Sequence, residues 1–203
     1  MEKPDLPFRL TLASGSLGRR ELLKLHGYSF EVRPANIDEP TEARLGDIRH
    51  YVAELAFLKA AAVAPNVPNG VVIAADTVGW LDGKVVGKPD DEAHARRILQ
   101  WLSGRVHELW SGVCLWIRPG DFQIAWQERS LVEMVKLSET EIESYLKTRK
   151  WEGCSGAYAI QLPEDPYLKV IEGSASNVIG LPMESLARAI AWAKWVTEAS
   201  TSP

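Results

Sequence analysis

Long apolar runs are missing from this chain, and so is any excess of positive charge. No stretch of about 18 apolar residues, the length a membrane-spanning helix needs, occurs among the 203 residues. The opening MEKPDLPFRL has no basic start followed by an apolar run, so a secretory leader is not expected and the chain reads as a cytoplasmic protein. Lys and Arg number 23 against 27 Asp and Glu, a net charge of −4. No global basic field recruits nucleic acid, and any anionic ligand must be held by a local group of cations. Cysteine is scarce: Cys114 and Cys154 form neither a CxxC pair nor a disulfide framework and read as reduced thiols. His26, His50, His94 and His107 lack metal-ligand spacing. A GxxxxGK[ST] loop is absent, which excludes a Walker-type NTPase. Repeats and low-complexity linkers are absent too, so one domain spanning 1–203 is expected.

What is present reads as α/β. FRLTLAS (8–14) is a strand running into a Ser-Gly-Ser turn, and LGRRELLKLHG is a helix with Leu22, Leu23 and Leu25 inward and Gly27 as its stop. A second extended segment ends in a polar loop with Asp38 and Glu39, followed by a helix over about 47–64. Its apolar stripe is Ile48, Tyr51, Val52, Leu55 and Ala62, with Lys59 on the same face. That lysine either snorkels to a rim or points its ammonium into a cleft at an anion. GVVIAADT (70–77) is a strand covered on both faces, with Asp76 and Thr77 at its carboxyl end. Asp76 there is either a site residue outside a strand end or the start of an Asx turn. Asp82-Gly83 marks a hairpin, and a capped helix, two long antiparallel strands joined at 118–121, a capping-box helix from Ser138 and a further strand, YLKVIEG, follow. The stretch GSASNVIGLP is a loop into the last helix. The eight tryptophans are scattered and assigned to packing.

Arg19 and Arg20 stand out because they occupy the first turn of a helix, where the macrodipole is already positive. The Ser14-Gly15-Ser16 turn can aim N–H groups and hydroxyls at an anion, and bound phosphate oxygens would offset the two guanidinium charges. Solvated arginines paired with Glu21 or Glu31 are the alternative. Arg19, Lys59 and Lys88 together suit a triphosphate, while Asp38, Glu39 and Asp76 suit a divalent metal.

LASGSLGRRELL, NIDEP, LAFLKA, AADTV, GKP, LSGRVH, SGAYAIQ and GSASNVIGLP occur in the order and spacing of the Maf family, which the chain resembles from about residue 9 to 190. The resemblance implies a Maf/ITPase-like fold: an elongated, mixed, twisted sheet flanked by helices, with a cleft between two lobes, in a homodimer. It implies hydrolysis of nucleoside triphosphates between the α- and β-phosphates, with a divalent cation, Mg²⁺ or Mn²⁺. By similarity Asp76 takes the catalytic acidic position as proton acceptor or metal ligand, and Glu39 a second position near the metal. Ser14, Arg19, Lys59 and Lys88 match the phosphate-handling positions.

Thr77 and Gln161 fit the branch that acts on dTTP and UTP; an amide pairs with the edge of uracil or thymine. That branch reads Ser-x-Ser-Pro-Arg-Arg, and here Leu17 and Gly18 replace Pro and the first Arg. Gly18 removes a side chain from the specificity region, which implies a broader pocket. The branch acting on 7-methyl-GTP, which also lacks that first Arg, is the alternative substrate reading. A nucleotide-binding regulator of cell division is the alternative outside enzymes.

Overall fold

In the computed structural model, residues 4–39, 47–120, 122–160 and 165–201 are described, the side chains of 200 and 201 excepted. Seven strands form one mixed sheet. In chain order they are β1 (Leu10–Leu12), β2 (Phe30–Val32), β3 (Gly70–Leu81), β4 (Lys84–Val86), β5 (Val106–Arg118), β6 (Phe122–Met134) and β7 (Leu168–Glu172). The helices are α1 (Leu17–Leu25), α2 (Ile48–Val63), α3 (Glu92–Leu102), α4 (Glu139–Lys147), α5 (Ala175–Ile179) and α6 (Met183–Thr201). The sheet order is β2-β1-β3-β5-β6-β7, with β4 also paired to β3. β1 is parallel to β2 and β3, whereas β3, β5, β6 and β7 are successively antiparallel.

Local chemistry sets the element ends. Asp47, Asp91 and Ser138 cap α2, α3 and α4 through their side-chain oxygens, and Glu141 completes a capping box with Ser138. Asp82 and Gly83 both have positive φ, as a two-residue hairpin requires, and they join β3 to β4. Two expectations are corrected. The segment expected to be a loop before the last helix contains α5, capped by Ser174 and stopped by Gly180 at φ 122°. A helix of five residues is too short for its apolar period to show in sequence. On α2 the buried stripe is Ile48, Val52, Leu55, Ala56, Lys59, Ala60 and Val63; Ala62 is exposed, because it falls off the i, i+4 row.

The alternation of β3 and β5 sorts the layers. One face, through Val72, Ala74 and Cys114, packs under the Ala56, Ala60 and Val63 side of α2. The other face carries two apolar clusters in series. Val71, Ile73, Ala75, Val113, Leu115 and Ile117 meet α1 and α6. Leu81 and Leu109 meet α3, α4 and Trp151. Between these clusters the same face presents Thr77 and Ser111, paired in register, and fully buried Asn177 of α5 lies against them. A polar seam thus separates two lobes.

α2 lies unusually close to the sheet at Gly112. A Cβ built there would collide with the backbone carbonyl of Val52. Glycine inside a strand marks such an approach of another backbone. Gly112→Ala must push α2 outward, and we expect a loss of about 1–3 kcal/mol or more, read as a lower urea midpoint with unchanged slope. An unchanged midpoint would show that α2 can shift freely.

His107 is buried in the α3/α4 lobe, and its Nδ1 has no partner among the described residues. Burial lowers its pKa from 6.5 to about 4. The folded protein keeps the ring neutral while the unfolded chain takes up a proton below pH 6.5. Stability from this site is therefore intact above pH 6.5 and declines as pH falls toward about 4. We expect a slope of at most about 1.4 kcal/mol per pH unit, which His107→Gln removes. Parallel urea midpoints for the two proteins between pH 7 and 4.5 would refute it.

Candidate active site

The site forms where the sheet edge is interrupted. On one side of β3, β1 pairs with Val71–Ile73 and β4 pairs with Gly79–Leu81. Neither strand reaches residues 76 and 77, while β5 supports them from the other side. Asp76 was expected at a strand's carboxyl end; it lies instead in the middle of a strand that continues to Leu81. The missing neighbour, not a strand terminus, opens its surroundings. Pleating then sends Asp76 toward α2 and Thr77 toward the seam.

The Ser14–Ser16 turn leads from β1 into this gap. Ser16 caps α1 by accepting from the Arg19 backbone N–H at 3.4 Å, and the first turn of α1 holds no acidic residue. Arg19 instead folds its guanidinium back over the turn. Nη1 donates to Ser14 Oγ at 2.9 Å, Nη2 to Thr77 Oγ1 at 3.3 Å, and Nε to the Gly180 carbonyl at 2.8 Å. Burial lowers the Arg19 pKa, and the charges of Asp76 and Glu39 oppose that shift. Arg20 pairs with neither Glu21 nor Glu31, which bind Lys24 and Arg33; it donates to the Gly15 and Ser16 carbonyls and closes the turn.

Lys59 does not snorkel. It is 9% exposed, and its Nζ meets Asp76 Oδ1 at 2.5 Å and Glu39 Oε1 at 2.8 Å. Burial raises the Glu39 pKa, but the Lys59 hydrogen bond and the charges of Lys59, Lys88 and Arg19 outweigh it, so the carboxyl lies below its ordinary range. Lys88 is exposed, within electrostatic reach of Glu39 and of Cys154. Next to it, Ser155 Oγ donates to the Val86 carbonyl at 2.7 Å and Gly156 N–H to the Gly87 carbonyl at 3.0 Å, tying the glycine-rich segment to the hairpin.

The structure therefore gathers Ser14, Arg19, Glu39, Lys59, Asp76 and Thr77 through direct contacts, with Lys88 within electrostatic reach of Glu39. Asp38 is exposed, and Gln161 lies outside the described residues. Gly18 opens no extra room. A Cβ there would stand 2.9 Å from Ile179 Cγ2, so the space is filled by α5 rather than left to a ligand. Ser111, Gly112, Asn177 and Gly180 escaped sequence reasoning. Only Gly112, a glycine inside a strand pattern, carried a local signal.

The donors suit a hard cation. The Lys59 ammonium occupies the point where two carboxylates converge, and oxygen-only ligands match Mg²⁺ or Mn²⁺. Among the described residues no group of three or more His, Cys, Asp or Glu is arranged to hold an ion by itself. Phosphate oxygens commonly complete such a sphere.

The fold is an α/β protein whose mixed sheet, split into two lobes, brings a guanidinium and an ammonium together with carboxylates at the gap in its edge. The family described as "Maf-like protein" matches residues 9–193. The chain belongs to the Maf family. It is 39% identical over 201 residues to a Rhodopirellula baltica protein named "dTTP/UTP pyrophosphatase", covering 97% of this chain and 87% of that one. A Bacillus cereus protein of the same name is 36% identical over 180 residues, covering 89% of this chain and 93% of the relative. A Bacillus anthracis protein, also so named, is 35% identical over 180 residues with the same coverage.

Removing the ammonium leaves Asp76 buried without its partner. Lys59→Met should cost about 3–5 kcal/mol in urea unfolding at pH 7, and Lys59→Met/Asp76→Leu should recover part of that loss. A loss below about 1 kcal/mol, the range of a solvated surface pair, would show that Asp76 is hydrated independently of Lys59.

Proposed function

We propose that this protein is a nucleoside triphosphate pyrophosphatase that hydrolyses the α–β phosphoanhydride of dTTP and UTP, releasing the monophosphate and pyrophosphate. The observation that carries the reading is the convergence of Asp76, Glu39 and Lys59 with Arg19 at the gap in the sheet edge. The names of the relatives support the substrate class.

In this reading the Ser14–Ser16 turn, the α1 N-terminus, Arg19 and Lys88 bind the phosphate chain, as N–H groups and guanidinium forks do. Water adds to phosphorus, its proton passes to Asp76, and the bridging oxygen leaves with the bond's electron pair toward the cations. Lys59 compensates the Asp76 charge and holds the carboxylate in place. Asp76 and Glu39 would hold Mg²⁺ or Mn²⁺ through the carboxylate oxygens that Lys59 does not bind, and the ion would supply Lewis-acid stabilisation of the phosphate oxygens. Binding of the uracil or thymine edge is assigned to Gln161. The reaction belongs to a cytoplasmic enzyme.

The test is a panel of canonical NTPs and dNTPs plus 7-methyl-GTP, with Mg²⁺ or Mn²⁺, separating nucleotide products and assaying pyrophosphate. Monophosphate and pyrophosphate from dTTP and UTP are expected. Asp76→Asn should fold and lose at least about 10²–10⁴-fold in kcat, the usual contribution of a positioned general base, and chelator should abolish turnover. Turnover of 7-methyl-GTP alone would overturn the base assignment. Tight nucleotide binding without product would point to a regulator instead of an enzyme.

A further inference from the structure

Thr77 has little hydrogen-bonding capacity left for a ligand. Its Oγ1 accepts from Arg19 Nη2 at 3.3 Å, lies 2.7 Å from Ser111 Oγ, and is 3.3 Å from the Gly180 carbonyl. Ser111 is fully buried, and its Oγ also reaches the Asn177 carbonyl at 3.3 Å. Each hydroxyl carries one proton, which leaves two connected arrangements. In one, Thr77 donates to Ser111 and Ser111 donates to Asn177. In the other, Ser111 donates to Thr77 and Thr77 donates to Gly180. Either way Thr77 accepts from Arg19 and its proton is committed within the protein.

The geometry points to Ser111 as a positioning residue that acts through Thr77 to hold the Arg19 guanidinium in the orientation that grips the nucleotide's phosphates. The phosphate half of this statement rests on the function proposed above; the orientation of Arg19 does not. Arg19 is gripped by three elements: Ser14 before α1, Thr77 in β3 and Gly180 after α5. The Thr77 contact is braced by a buried hydroxyl from the neighbouring strand, and that brace is tied in turn to α5 through Asn177. Asn177 is anchored by its Nδ2 donating to Ser130 Oγ at 2.9 Å. A buried hydroxyl is costly unless bonded, so this chain keeps one geometry across the seam between the lobes. Thr77 thereby influences nucleotide binding through Arg19 rather than by donating to the base.

The experiment follows Arg19 itself in the ligand-free protein. Arginine Nε–H resonances of ¹⁵N-labelled protein are recorded, and Arg19 is identified by the signal lost in Arg19→Lys. Its Nε–H, bonded to the Gly180 carbonyl, should exchange slowly in the wild type and at least about tenfold faster in Ser111→Ala and in the isosteric Thr77→Val, as expected when a guanidinium released at Nη2 opens its remaining contacts more often. Thr77→Ser, which keeps the hydroxyl, should retain the slow rate. With dTTP, Ser111→Ala should raise KM at least about fivefold with kcat changed less than about twofold, the pattern of lost uniform binding. In a Thr77→Val background, Ser111→Ala should add nothing, since the two act as one unit. Wild-type exchange of Arg19 in Ser111→Ala, or equal effects of Ser111→Ala in both backgrounds, would overturn the inference. Coupled exchange in a protein that turns over no triphosphate would leave the positioning role standing and remove the proposed function.

Discussion

The contact between the α2 backbone and Gly112 is the constraint on which the site depends. Gly112 is the register partner of Asp76 on β5, and it has no side chain to hold the helix away. Lys59 can thus reach Asp76 from α2 while remaining buried. A helix riding at ordinary distance over a side chain would leave the carboxylate without its ammonium, and an unpaired charge at that depth is costly. The glycine, the lysine and the aspartate form one steric and electrostatic unit contributed by three elements.

The opposite face of the same strand pair is organised differently. There the apolar clusters stop short of each other, and Thr77, Ser111 and Asn177 fill the interval with hydrogen bonds. This seam marks the boundary between the lobes and delivers Thr77 to Arg19. It also accounts for a cation in the first turn of a helix. One acceptor in the adjoining turn and two from distant parts of the chain hold the Arg19 guanidinium, and the nearby carboxylates Asp76 and Glu39 offset its charge.

Much of the fold was legible because its elements carry strong local signals. The capped start of α3, the capping box at Ser138, the Asp82-Gly83 turn and the two long β-branched and aromatic strands depend on neighbours within a few residues. α5 was not legible because five residues show no period, and Ala62 was misplaced because its side of α2 depends on where the helix meets the sheet. Asp76 was recognisable as a lone charge ending an apolar run. Its setting in a gap between β1 and β4 was not, since strand ends on one edge are set by partners far away in the chain.

The sequence by itself determined the residue types available to the chemistry: carboxylates, lysines and an arginine after a Ser-Gly-Ser turn, in an order shared with the Maf family. Composition and motif order are local or linear properties, and they are complete in the chain. Only the tertiary structure decided that Lys59 is buried between Glu39 and Asp76, that the room beside Gly18 belongs to Ile179, and that the Thr77 hydroxyl is engaged by Arg19 and Ser111. Those outcomes depend on distances between residues up to 161 positions apart. Such distances arise only when packing and strand register place the elements against one another.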